Sequence, residues 1–288
     1  MAFSGTVRVQ LNGTWTTLTY NSSSGAYEAT LTAPGKTSFN ETGGVYVVTA
    51  EATNTAGTAV TETVNLTVKE TIKPVITISS PSSGAYISSN QPNIVFTVTD
   101  EANGSGVKID SLSVKIDGKA ITTGITKTAI TNGYSVTVVP STLDDGSHTV
   151  TINCNDNDGN SATEKSATFT VDTVPPVLNV TSPDDGLITN KNTVVVAGTT
   201  NDAASSPVTL TVNGDKVSVG SDGSFSKTVT LSEGENTITV EATDKAGKVS
   251  TVTRTVTFDS STPVIESIEI TPNPVNTSES MLISVVVK

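Results

Sequence analysis

The sequence predicts an all-β protein. Of its 288 residues only 4% are aromatic and 15% are charged, and the abundant Thr, Ser, Val, Gly and Asn suit pleated surfaces and tight turns. No window places apolar residues at i, i+3, i+4 and i+7 over three turns, whereas strict alternation of apolar and polar residues recurs along the chain. We therefore expect strands throughout and almost no helix.

Charge and rare residues exclude several functions. The net charge is −12, with Arg8 and Arg254 as the only arginines, which argues against nucleic acid and anionic membranes as partners. The single cysteine, Cys154, permits no intrachain disulfide and is interpreted as a small core residue. The single histidine, His148, follows an Asp-Asp-Gly-Ser turn, where we expect a solvated position. Because this is the only histidine, a Ser-His-Asp or Cys-His site is not easily built, and the spacing of the acids suggests no catalytic pair, so we expect no enzymatic activity.

Two kinds of β-hairpin recur three times. The first has a two-residue Asn-Gly or Asp-Gly turn, which tolerates the positive φ angles of a type I′ turn. The second joins two alternating strands through a turn that ends in glycine, at Gly57, Gly159 and Gly247. The first turns lie at 12–13, 117–118 and 213–214, and the second hairpins at 45–68, 148–171 and 236–258.

Further strands complete a modular pattern. A strand is expected between the two hairpins of each repeat, at 27–33, 134–140 and 224–232, and the later repeats open with two additional strands. About seven strands in this length is the count of an immunoglobulin-like sandwich. Short linkers that end in proline favour an elongated rod. We name the segments module one (1–69), module two (74–172), module three (176–259) and the tail (263–288).

The repeats resemble the bacterial immunoglobulin-like repeat families over essentially the whole chain. The patterns EATDKAG…TVTF (241–258) and VNG…SDGSFS…ENTITV (212–240) carry the resemblance. It implies tandem immunoglobulin-like sandwiches of the kind found in surface adhesins, in spacers of secreted enzymes and in phage tail or other virion proteins. The N-terminus shows no export signal and no stretch long enough for a membrane span. The composition is nevertheless that of an exported protein, which fits either an excised segment or a virion protein that is released by lysis. We therefore expect an extracellular location, in a virion or an extracellular filament.

Module one and the tail are mismatched in a complementary way. Module one opens at 5–13, which corresponds to the third strand of the later modules, so it lacks their first two strands. The tail has that missing pattern, with strands expected at 264–270 and 281–287. The distance from its first proline to its second strand, 20 positions, matches the 21 and 19 positions in modules two and three.

The apolar residues of the tail define its predicted assembly face. Three are expected on one face of each strand, and burying all six is worth on the order of 10–15 kcal/mol before association costs. They are Val264, Ile268, Ile270, Ile283, Val285 and Val287. The four-residue linker before the tail spans at most about 14 Å, too short to return to module one along a straight rod.

These observations predict a non-enzymatic structural protein that assembles head to tail by donor-strand exchange. The tail of one subunit would complete module one of the next, giving a filament or a ring of identical subunits. Three alternatives remain open. The chain is a truncated spacer array of a larger secreted protein, a different protein supplies or accepts the strands, or the chain is a glycan-binding surface or phage-tail adhesin.

Two binding sites are weighed against purely structural roles. Acidic residues at the linkers are calcium candidates, and clustered aromatics of module one are candidates for stacking on bacterial cell-surface glycans. The first calcium set is Asp172, Asp202 and Asp244, and the second is Glu70, Asp100, Glu101, Asp156 and Asp158. The aromatic candidates are Trp15, Tyr20 and Tyr27. No other cofactor is expected.

Overall fold

A computed structural model describes residues 2–288. The chain divides into two units, Met1–Asp172 and Thr173–Lys288, and each is described by itself. Apart from two short 3₁₀ turns, Ser38–Asn40 and Thr42–Gly44, the regular structure of the described residues is strand. The predicted all-β class is confirmed.

Module one contains one four-stranded antiparallel sheet and one small hairpin. The sheet has the order β2-β1-β5-β6, and the hairpin pairs β3 with β4. The strands are β1 Gly5–Leu11, β2 Thr14–Thr17, β3 Thr19–Asn21, β4 Ala26–Glu28, β5 Tyr46–Asn54 and β6 Ala59–Leu66.

Module two is a sandwich of two sheets, with orders β11-β10-β14-β15-β8 and β12-β13-β9-β7. Only the pairing of β8 with β15 is parallel. The strands are β7 Val75–Ser80, β8 Ala85–Ile87, β9 Ile94–Thr99, β10 Val107–Ile116, β11 Lys119–Ala120, β12 Ile125–Ile130, β13 Gly133–Val138, β14 Gly146–Asp156 and β15 Lys165–Val171.

Module three, in the second unit, has the same plan with sheets β16-β18-β21 and β17-β23-β22-β19-β20. The tail forms a separate two-stranded antiparallel sheet. The strands are β16 Val177–Ser182, β17 Leu187–Thr189, β18 Thr193–Asn201, β19 Thr209–Val212, β20 Asp215–Val217, β21 Ser224–Thr230, β22 Gly234–Thr243, β23 Val249–Phe258, β24 Ile265–Thr271 and β25 Leu282–Val287.

The predicted turn chemistry is confirmed at all three first hairpins. Asn213 has φ of 51° and Gly214 has φ of 83°, so both central residues adopt the positive φ that a type I′ turn requires. The turns at 12–13 and 117–118 have the same pair of positive angles. These turns fix the register of the flanking strands.

Each sandwich has its own hydrophobic core. The core of module two includes Phe96 and Phe169, and that of module three includes Leu210 and Ile238, all at most 1% exposed. In both modules the first two strands supply core residues, such as Ile76 in β7 and Val180 in β16. Cys154 belongs to the core of module two, as expected, and burial raises the pKa of its thiol.

The expected solvated position of His148 is wrong. His148 lies within β14 and is only 9% exposed, with its ring against Phe169. Its Nδ1 lies 2.7 Å from Asp117 Oδ2 and its Nε2 lies 2.8 Å from the Asp144 carbonyl oxygen. Two acceptors make this buried position tolerable for a polar ring.

Candidate assembly surfaces and acidic cluster

The sheet of module one exposes an apolar face. Pairing places Val7, Ala52 and Val60 side by side across three strands, and Val48 opposite Val64. Val60 is 63% exposed and Val64 is 65% exposed. Within residues 2–69, Tyr46 is the only buried large hydrophobic side chain, so this sheet has no core of its own.

The corresponding sheet of module two is covered. Along β14, Val150 and Ile152 are fully buried because the sheet containing β7 and β9 packs over them. In module one the equivalents of β7 and β9 are not present among residues 2–69. The same difference affects β4, which ends at Glu28, although a strand was predicted to residue 33. The matching strands β13 and β21 pair with β9 and β18, and β4 has no such partner.

The tail hairpin is exposed on both faces. Ile268 lies opposite Val285, and Ile270 opposite Ile283, as the predicted assembly face requires. Every residue of β24 and β25 is exposed, and a two-stranded sheet on its own is marginally stable in water.

A bulge changes one member of the predicted face. The register shifts between Ile265 and Ser267, so Ile265 lies opposite Val287. Val264 instead exchanges backbone hydrogen bonds with Lys288 at the end of the hairpin. The prediction assumed uninterrupted alternation, and the extra residue of the bulge moves Val264 out of this row. Ile265 therefore takes its place beside Ile268 and Ile270.

Three predicted calcium candidates of the first unit converge at the linker between modules one and two. Glu70 comes from the linker, Asp100 follows β9, and Asp156 ends β14. One carboxylate oxygen from each lies within 4.8 Å of the others. Asp100 is 7% exposed and Asp156 is fully buried. We call these three residues the acidic cluster.

Backbone amides hold the carboxylates of the acidic cluster. Asp100 Oδ2 accepts a 2.7 Å hydrogen bond from the N–H of Gly106, whose positive φ of 80° directs the loop back toward the strand end. Asp156 Oδ1 accepts from the N–H groups of Gly159 and Asn160 at 2.7 and 2.8 Å. Glu70 Oε1 accepts from the Ser105 N–H.

Two oxygens of the acidic cluster are buried without a hydrogen-bond partner, Asp100 Oδ1 and Glu70 Oε2. Neither residue takes part in the ion pairs formed within residues 2–288. Desolvation and, to a smaller extent, the negative charges of Glu70 and Asp156 outweigh the lowering effect of the Gly106 hydrogen bond and raise the pKa of Asp100 to about 6. The cluster therefore concentrates negative charge with little compensation.

The other predicted calcium candidates also accept hydrogen bonds or are buried. Asp158 is not one of the three residues of the cluster, and its Oδ2 accepts hydrogen bonds from Thr37 Oγ1 and the Glu70 N–H. In the second unit, Asp202 Oδ1 accepts from the Ser205 N–H at 2.7 Å, and Asp244 Oδ2 is buried without a hydrogen-bond partner.

The remaining two acids are placed as follows. Asp172 is the last residue of the first unit and is buried. Glu101 borders the cluster, and its Oε2 is a further buried oxygen with no hydrogen-bond partner. The polar residues around the cluster, Thr37, Ser105 and Asn160, were not predicted, because nothing in their local sequence distinguishes them from other turn residues.

The aromatic candidates of module one lie on two different sheets. Tyr20 and Tyr27 face each other across the β3–β4 hairpin, with ring centroids 5.3 Å apart and planes inclined by 54°. Trp15 lies on β2, and the Arg8 guanidinium sits 4.3 Å above its ring. The Tyr27 hydroxyl donates to the Phe3 carbonyl oxygen. Glycan binding by these residues stays a prediction.

The folds of modules two and three define a class, the tandem immunoglobulin-like β-sandwich. Sequence comparison agrees with this class. Residues 75–173 match the family model of a bacterial Ig-like domain, and residues 176–260 match that of domain B of glucodextranase. The predicted resemblance to bacterial immunoglobulin-like repeat proteins is therefore confirmed.

Two curated proteins are similar to large parts of the chain. Bacillopeptidase F of Bacillus subtilis is 30% identical over 181 residues, and halomucin of Haloquadratum walsbyi is 29% identical over 227 residues. These alignments take in 59% and 71% of this chain but only 12% and 2% of the two relatives. The chain therefore spans only a small part of the length of these two relatives.

Solved structures of tandem-domain chains are similar to this chain at low identity. A tetra-tandem repeat from the extending region of a large adhesion protein is 22% identical, with a TM-score of 0.37, and covers all of this chain and 81% of that one. The titin fragment I67–I69 is 14% identical with a TM-score of 0.44, covering 88% of this chain and 87% of the fragment. Among residues 2–288 there is no helix of the length and hydropathy needed to cross a membrane.

Proposed function

We propose that the chain is an extracellular structural protein whose module one is completed by the tail of a second copy. The observation that carries the proposal is the exposed apolar face of module one. Its sheet, β2-β1-β5-β6, has the order of the first four strands, β11-β10-β14-β15, of the covered sheet of module two. The tail offers the type of strand pair that covers this sheet in module two.

The chemistry of the two surfaces is compatible. Val48, Val60 and Val64 form an apolar row on module one, and Ile268 and Val285 form one on the tail. Both surfaces are mainly aliphatic, so their association is driven by removing apolar area from water. Because donor and acceptor are different surfaces of one chain, the contact is heterologous and repeats from subunit to subunit. An extracellular filament or a virion-associated fibre would be the product.

A second candidate is a spacer segment, in which other modules of a longer chain cover the same two surfaces. The length of the curated relatives, of which this chain matches 12% and 2%, favours this candidate. It predicts the same covered surfaces but no self-association of this chain.

Two complementary variants distinguish the candidates. Val48→Asp places a charge on the acceptor face and leaves the tail intact, whereas Ile268→Asp disables the tail and leaves module one intact. Under the proposal, the unmodified chain forms long species at micromolar concentration, each variant alone stays monomeric, and an equimolar mixture stops at a dimer. Sedimentation velocity measures all three states, and electron microscopy tells filaments from rings.

The matched control is Ser284→Lys, which places a charge on the other face of the tail, opposite Glu269. We expect it to assemble like the unmodified chain. An unmodified chain that remains monomeric at micromolar concentration contradicts the proposal and supports the spacer candidate.

A further inference from the structure

The acidic cluster buries several negatively charged side chains close together, an arrangement that a bound cation would stabilise. Its carboxylates come from Glu70, Asp100 and Asp156, with one oxygen of each within 4.8 Å of the others. Burying carboxylates without a counter-charge is costly, because water no longer solvates them. Proteins meet this cost with a paired cation, a proton or a bound metal ion. Lys36 lines the adjacent open cleft of about 340 Å³, and Lys36 and Lys69 line a second cleft that includes Glu70. Neither lysine takes part in the ion pairs formed within residues 2–288.

Asp100 supplies a second, independent observation that points to a bound ligand. More than nine-tenths of the residue is buried, one of its oxygens is bound by the Gly106 N–H, and the other, Oδ1, has no partner. Such orphaned buried acceptors are rare in native proteins. Glu70 repeats the arrangement, with Oε1 bound by a backbone N–H and Oε2 buried and unpartnered.

The spacing and donor type match one class of ion. Two oxygens that each lie about 2.4 Å from a common calcium ion are at most twice that distance apart, which the cluster satisfies. Carboxylate oxygens are hard ligands, and Ca²⁺ accepts irregular arrangements of them, whereas Mg²⁺ requires near-octahedral geometry. Here the three ligands come from a linker, a strand end and a hairpin turn, each fixed by its own backbone hydrogen bonds. That arrangement favours Ca²⁺.

We propose that Glu70, Asp100 and Asp156 bind one calcium ion, which fixes the linker after module one to module two. Glu70 belongs to the linker, while the other two ligands belong to module two. Two hydrogen bonds already join modules one and two near this site. Thr37 donates to Asp158, and Asn40 donates to the Gly104 carbonyl oxygen at 2.6 Å. The ion adds an electrostatic bond between elements that otherwise repel each other.

The sequence repeats the pattern of acids. Glu70, Asp172 and Asp259 each precede a linker proline by four residues. Asp100 directly follows β9 and Asp202 directly follows β18, the corresponding strands of modules two and three. Asp156 and Asp244 occupy the start of the second hairpin turn, so three positions carry acids in successive repeats.

The test is calcium binding to the full chain after treatment with a chelator. Isothermal titration with CaCl₂ should show saturable binding, with a dissociation constant on the order of 0.1–1 mM, the range of extracellular calcium modules. Asp100→Asn and Glu70→Gln should each weaken this binding at least tenfold or remove one equivalent. An equal response to MgCl₂ overturns the choice of calcium.

Two controls keep the result interpretable. Asp110→Asn removes an acid of module two that lies outside the cluster and should leave the titration unchanged. Glu70→Gln changes a linker residue, so it tests the site even where Asp100→Asn fails to fold, as judged by far-UV circular dichroism. Absence of calcium binding at millimolar concentration, or binding of the same stoichiometry and affinity in folded Glu70→Gln, overturns the proposal.

Discussion

At the residue scale, the predictions from local sequence fail mainly at polar groups that are buried in the fold. Asp-Asp-Gly-Ser before His148 indicates a solvated turn, but the ring is buried and its Nδ1 lies 2.7 Å from Asp117 Oδ2. That partner lies 31 residues earlier in the sequence and reaches His148 only because β10 pairs with β14. The acidic cluster is a similar case. The sequence identifies its acidic residues, but it does not show that some of their carboxylate oxygens are buried without a hydrogen-bond partner.

His148 makes the stability of module two depend on pH. Burial lowers the pKa of His148, but its contacts with the Asp144 carbonyl oxygen and the Asp117 carboxylate outweigh this and raise the pKa above its ordinary value. The protonated ring can donate to both acceptors at once. Protonation of His148 therefore stabilises the folded state. This stabilisation is fully present below about pH 6.5, the pKa of histidine in the unfolded chain, and is lost as the pH rises through the folded pKa.

We therefore expect the melting temperature of module two to fall by a few degrees between pH 6 and pH 8.5. Asp117 is partly exposed, so solvent screening limits the effect to about 1 kcal/mol. Thermal unfolding of the chain and of Asp117→Asn across this range measures it, and the variant should lose most of the slope. Equal slopes in the two proteins would show that the pair does not control the pH dependence.

At the element scale, alternation and turn chemistry are readable because they are local. The Asn-Gly and Asp-Gly turns and the two tail strands occur where the sequence predicts them. Partner-dependent features are not readable in this way. β4 ends at Glu28 and, within residues 2–288, pairs only with β3, whereas its counterparts pair with β9 or β18. The bulge at Ile265 replaces Val264 by Ile265 on the face of the tail.

The exposed tail hairpin should be dynamic until it is covered. Its strands have one hydrogen-bonded partner each and no core, and such elements open at low free-energy cost. On the proposed function, amides of β24 and β25 exchange rapidly in Val48→Asp, which cannot accept a tail. In the assembled unmodified chain they exchange at least tenfold more slowly. Hydrogen exchange read by mass spectrometry compares them, with β22 and β23 as the internal standard that should not change. Tail amides protected equally in both proteins would mean that the hairpin is stable without a partner.

At the scale of the whole molecule, repetition made the organisation accessible from sequence. Three copies of one hairpin pattern predict the sandwich plan, and Phe96 and Ile238 then fall in the cores of modules two and three. What joins modules could be predicted only as a set of acids, because Glu70 and Asp156 are 86 positions apart in the sequence and their approach depends on the completed fold. The repeated apolar pattern predicts the fold of each module, whereas the junction between modules depends on contacts between residues that are distant in the sequence.

Separate cores predict separate unfolding transitions. The core of module two lies entirely in the first unit and that of module three in the second, so a single two-state transition is not expected. Ile238→Ala removes a side chain that is 1% exposed and should cost roughly 2–5 kcal/mol. In scanning calorimetry this lowers one transition by roughly 10 °C or more and leaves the other in place. Ile188→Ala, in the same module but 72% exposed, changes stability by less than about 0.5 kcal/mol and serves as the matched control. If Ile238→Ala moves every transition together, the two cores unfold as one cooperative unit.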